Sequence, residues 1–105
     1  MSEENKIPTL DEIAAKHGVK TVFEISVQDE EENTVTAYFK KPGRQVLSLS
    51  LSIQDRDPLK AKEIILRNGY LGGDKRIMDD DELFISACTV VDEMITYRKA
   101  TLKKN

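Results

Sequence analysis

The chain has 105 residues and a mass of 11.9 kDa, with 39% apolar, 33% charged and 6% aromatic side chains. That is one domain by size, able to bury roughly 65% of the surface its unfolded form exposes, with a globular rather than a disordered composition. Sixteen Lys and Arg stand against 19 Asp and Glu, a net charge of −3 that argues against a phosphate-backbone binder, and the short apolar runs cannot span a membrane.

Thr9-Leu10-Asp11-Glu12 has the spacing of a capping box, and Leu10, Ile13 and Ala14 share one helical face. A short helix over residues 9–17 follows, with Gly18 as its stop. Alone such a helix is marginal, so it must dock. Val19 to Val27 alternates and is rich in β-branched residues, which predicts a strand. Asp29-Glu30-Glu31-Glu32-Asn33 is an acidic turn, and Thr34 to Lys40 reads as a second strand. The two strands make an antiparallel hairpin with an exposed tip.

Pro42-Gly43 ends the hairpin. Residues 46–53 alternate strictly, with Leu47, Leu49, Leu51 and Ile53 on one side and Val46, Ser48, Ser50 and Ser52 on the other, which favours a strand, yet Val46, Leu49, Ser50 and Ile53 also fit a helical face. Asp57-Pro58 opens a clear helix as N-cap and first helical residue, with Leu59, Lys62, Ile65 and Leu66 as its stripe and Asn68-Gly69 as its stop. Tyr70 to Met78 reads as a connecting loop. One of Asp79, Asp80 and Asp81 caps the last helix, expected to run for about 20 residues. Its inward side carries Leu83, Phe84, Ala87, Cys88, Val91, Met94, Ile95 and Leu102, and its outward side Glu82, Ser86, Asp92, Glu93, Thr96, Lys99 and Lys103. The expected class is α+β: a short N-terminal helix, an antiparallel hairpin, then three helices, the last long and amphipathic. One domain covers 1–105, with 1–7 and 103–105 loose.

Charge is unevenly placed. Residues 1–40 carry a net −5, residues 41–76 a net +4 and residues 77–105 a net −2. The basic middle lacks interleaved aromatics, so stacking on single-stranded nucleic acid is not expected. Its charges solvate helix faces or favour an acidic partner. The first six residues are acidic and polar, unlike a secretory signal, and a single Cys excludes an intramolecular disulfide. These features point to a reducing, cytoplasmic location.

Catalytic chemistry finds little support. His17 is the only histidine and reads as a solvated helix-end residue. Cys88 lies on an apolar face and reads as a buried, inert thiol. Asp79-Asp80-Asp81-Glu82 lacks the glycine of a calcium loop and reads as a helix cap. Gly69 and Gly72-Gly73-Asp74-Lys75 fail the phosphate-loop spacing, and Asp74 would repel a phosphate. The expectation is no enzyme, no cofactor and no metal site.

Several short motifs stand in a telling order. Tyr38-Phe39-Lys40-Lys41-Pro42-Gly43-Arg44 leads into the apolar segment, and Asp57-Pro58-Leu59-Lys60-Ala61 opens a helix ending at Arg67-Asn68-Gly69-Tyr70. Leu71-Gly72-Gly73-Asp74, Asp80-Asp81-Glu82-Leu83-Phe84-Ile85-Ser86-Ala87 and Ala100-Thr101-Leu102-Lys103-Lys104 follow. Over residues 37–104 this order resembles the small tail assembly chaperones of long-tailed bacteriophages and prophages. The resemblance implies a non-enzymatic protein of the bacterial cytoplasm that coats the tape measure protein before the tail tube polymerises. The tail tube protein is a second implied partner, and self-association is open. The resemblance also implies a helix over residues 44–54, against the local alternation.

A chaperone for a helical client needs exposed apolar surface. Tyr70, Leu71, Ile77 and Met78 are the candidates, being four large apolar residues near two glycines and outside the regular helices. They either meet a partner or plug the core beneath a loop. The competing function classes are a structural, tail-completion subunit that stays in the particle, and a small adaptor domain.

Overall fold

The computed structural model describes residues 8–95 and 97–105. The expected looseness of residues 1–7 and the outward placing of Thr96 lie outside the described residues. In chain order the elements are α1 (Leu10–His17), β1 (Val22–Gln28), β2 (Thr34–Lys40), α2 (Arg44–Ile53), α3 (Pro58–Gly69), β3 (Tyr70–Gly73), α4 (Arg76–Asp79) and α5 (Asp81–Cys88), followed by a 3-10 turn over Val91–Met94. The class is α+β, with a three-stranded antiparallel sheet in the order β1-β2-β3.

The capping box of α1 is formed as its spacing predicts. The Thr9 hydroxyl accepts from the Glu12 N–H at 3.1 Å, and the Glu12 carboxylate accepts from the Thr9 N–H at 2.8 Å. Gly18 ends the helix in the left-handed region, at φ 66°. Strand β1 starts at Val22 rather than Val19, because the Val19 N–H is spent on the Ala14 carbonyl at 3.0 Å, closing the helix end. The hairpin register runs from Val22 opposite Lys40 to Gln28 opposite Thr34. Its turn is held by the Asp29 carboxylate, which accepts from the N–H groups of Glu31 and Asn33, both at 2.9 Å.

The alternating Leu-Ser segment is helix α2, against the strand its alternation favours. Both edges of β2 are already taken, by β1 and β3. In the helix, Ser50 is buried and its hydroxyl donates to the Ala61 carbonyl of α3 at 2.9 Å. A strand would have put that serine on a face with Ser48 and Ser52.

Residues 70–73 are a third strand, not a loop. Tyr70 pairs with Phe39, Gly72 with Tyr38 and Gly73 with Ala37, across a bulge at Tyr38 and Phe39. Gly73 has φ 101°, and a Cβ there would stand 2.6 Å from the Ala37 Cα. Beyond it, Asp74 accepts from the Arg76 N–H at 3.0 Å and pairs with the Arg76 guanidinium at 2.9 Å, which holds its carboxyl below the usual range.

The expected 20-residue last helix stops after Cys88. Asp80 is its N-cap, accepting from the Leu83 N–H at 3.1 Å. The β-branched run Thr89-Val90-Val91 follows its last turn, and the Thr89 hydroxyl donates to the Ser86 carbonyl. Val91 and Met94 reach the core from the 3-10 turn instead, at a spacing of three. Leu102, expected inward, is exposed, and residues 97–105 are outside regular structure.

The core lies between one sheet face and the helices that follow. Ile25, Val35, Ala37 and Phe39 meet Ile65, Leu66, Ile77, Met78, Leu83, Ala87, Val91 and Met94. Phe84 and Ile95 pack against this cluster while half-buried. The other sheet face carries a smaller cluster of Val22 with Ile13 and Ala14, which docks α1. Helices therefore cover both faces, as an unstable isolated hairpin requires.

Candidate functional site

Potential catalytic groups are scattered. His17 is exposed on α1, and among the described residues no three His, Cys, Asp or Glu gather to hold a metal ion. Cys88 is buried, and desolvation pushes its thiol pKa up, assisted by Glu63 and opposed by Lys62. A neutral thiol facing the core is a poor nucleophile. Among the described residues no helix is long and apolar enough to cross a membrane.

The four candidate partner-binding residues do not form a common surface. Ile77 and Met78 are in the core, fixed there by α4. Tyr70 is half-buried against Phe39, edge to face at 5.8 Å between ring centres, and its hydroxyl donates to the Gly73 carbonyl at 3.0 Å. Leu71 is half-buried on the opposite face of the sheet, with Tyr38 and the α1 cluster. The alternation of a strand sends Tyr70 and Leu71 to opposite faces. These residues fill space beneath a strand and a one-turn helix.

Exposed apolar surface lies elsewhere, on α2, α3 and α5. Leu51 is 61% exposed, Ile85 51% and Leu59 43%. A groove of about 440 Å³ lies where α2, α3 and the 3-10 turn meet, with Leu47, Leu51, Pro58, Ile65 and Ile95 along it. A second of about 220 Å³ runs between α3 and α5 and includes Leu59, Ile85 and Cys88. Both grooves touch Pro58 and Lys62, so they flank the first turns of α3 as one surface. The Lys62 stem forms part of it, in the usual manner of a long cation over apolar ground.

The sequence held a signal for this surface that its stripe reading passed over. The buried face of α3 is Ala61, Ile65, Leu66 and Gly69. Leu59 lies seven residues before Leu66, on the same flank two turns earlier, where it stays 43% exposed. In α2, Leu51 follows half-buried Leu47 by one turn and lies beyond the contact with α3.

Comparison of the chain with family models, with curated proteins and with solved structures finds no match.

Proposed function

We propose that this chain is a non-enzymatic tail assembly chaperone of a long-tailed phage or prophage, which binds the tape measure protein and keeps it soluble until the tail tube forms. The motif order over residues 37–104 supports the family, and one structural observation supports the activity: the twin-grooved apolar surface around Pro58, with Leu51, Leu59 and Ile85 exposed along it. A helical client with a stripe of apolar residues would lay that stripe along such grooves. An exposed apolar face of this kind on a small domain is a binding surface or a liability.

Co-expression with the encoded tape measure protein tests the reading. The wild-type chain is expected to keep the client in the soluble fraction. A Leu51→Asp, Leu59→Asp, Ile85→Asp variant should remain folded, because all three side chains are exposed, and should lose that protection. Equal protection by the folded variant would remove this surface from consideration. No protection by the wild type would refute the chaperone reading. A second reading, a subunit retained in the particle, draws on the exposed segment 97–105; it requires the chain to be present in purified particles by mass spectrometry.

A further inference from the structure

Among the described residues two features lack partners and match one another. The first is the outer edge of β1, seven residues long and paired only with β2 on its inner side. An edge of this length presents a row of backbone donors and acceptors to any chain that approaches extended. The second is the segment 97–105. All nine of its residues are exposed, with Tyr97 at 82% and Leu102 at 94%. The chain with this segment measures 67 × 30 × 20 Å, with a radius of gyration of 16.1 Å, where a compact chain of this length would have about 13 Å.

We propose that segment 97–105 of one copy adds as an antiparallel strand to the outer edge of β1 in a second copy. Charge and polarity support this occupant. The segment holds Arg98, Lys99, Lys103 and Lys104 and no acid, whereas β1 and its turn hold Glu24, Asp29, Glu30, Glu31 and Glu32 and no base. The alternation also agrees. An antiparallel register with Leu102 opposite Ile25 sets Lys103 opposite Glu24, Thr101 opposite Ser26 and Ala100 opposite Val27. The same register carries Arg98 to Asp29, at the mouth of the acidic turn. On the core side Leu102 and Ala100 then meet Ile25 and Val27, with Lys104 opposite half-buried Phe23 at the end of the strand, and on the exposed side Lys103 meets Glu24. Main-chain hydrogen bonds supply the attachment and the cross-strand pairs its register. Mutual exchange of two such segments closes as a two-fold dimer.

The test is the mass of the full chain in solution by light scattering after size exclusion, over a range of concentrations. A dimer that becomes a monomer on deleting residues 97–105 supports the proposal; the deletion removes only exposed residues, and circular dichroism confirms the body. Glu24→Lys should weaken dimerisation about fivefold, and the double variant Glu24→Lys, Lys103→Glu should restore it, which a merely structural effect of either change would not. A wild type that is monomeric throughout overturns the proposal. So does a dimer that survives the deletion, which would instead indicate pairing of β1 with β1.

Discussion

Gly73 is where backbone and packing make the most specific demand on a single residue. Its φ of 101° lies where side chains are strained, and a Cβ would meet the Ala37 Cα at 2.6 Å and the Thr36 carbonyl oxygen at 2.7 Å. Both obstacles are main chain of β2 and cannot rotate away. Gly18 shares a positive φ, of 66°, but has open space around it. Gly73→Ala is therefore expected to cost about 3 kcal/mol, through strain and overpacking together. Gly18→Ala should cost about 1 kcal/mol, through strain alone. Urea denaturation of the two variants checks the difference; equal midpoints would mean that β3 moves aside freely.

Among the elements, those with end signals were legible and those set by tertiary contact were not. Thr9 with Glu12, Asp57 with Pro58, and the Asp29–Asn33 turn act over three or four residues, and each stands where its spacing puts it. Strand β3 carried no such signal: four residues with two glycines become a strand because β2 offers an edge. The last helix misled because Val91 and Met94 are buried as a helical period would have them, although the chain reaches them by a 3-10 turn. The four candidate site residues are dispersed for a related reason, since Ile77 and Met78 look exposed only if residues 70–78 are a loop, and they lie in the core. For α2, local alternation and the family resemblance disagreed, and the Ser50 bond to Ala61 shows the side of the helix that meets α3. Ser50→Ala is expected to cost about 1 kcal/mol, the net worth of one hydrogen bond, because the Ala61 carbonyl stays within its own helix. Thermal unfolding measures this, and an unchanged midpoint would show that packing alone joins α2 to α3.

At the scale of the whole molecule, two unlike surfaces follow from the uneven charge. The grooves around Pro58 are mostly apolar, whereas the β1 edge with its turn is acidic and segment 97–105 is basic. Burial of apolar area does not depend on ionic screening, but attraction between exposed charges does. Between about 0.05 and 0.5 M sodium chloride the screening length shrinks from about 14 Å to about 4 Å. Self-association through the arm should then weaken severalfold, because Lys103 with Glu24 and Arg98 with Asp29 would lie at the rim of the added strand. Protection of an apolar client should hold or rise slightly over the same range. Light scattering and client sedimentation, run on the same salt series, read the two effects separately. If both fall together, the client binds through charge and the apolar grooves are not its site. If dimer strength ignores salt, the arm is held by its backbone and Leu102, and the charge match contributes nothing measurable.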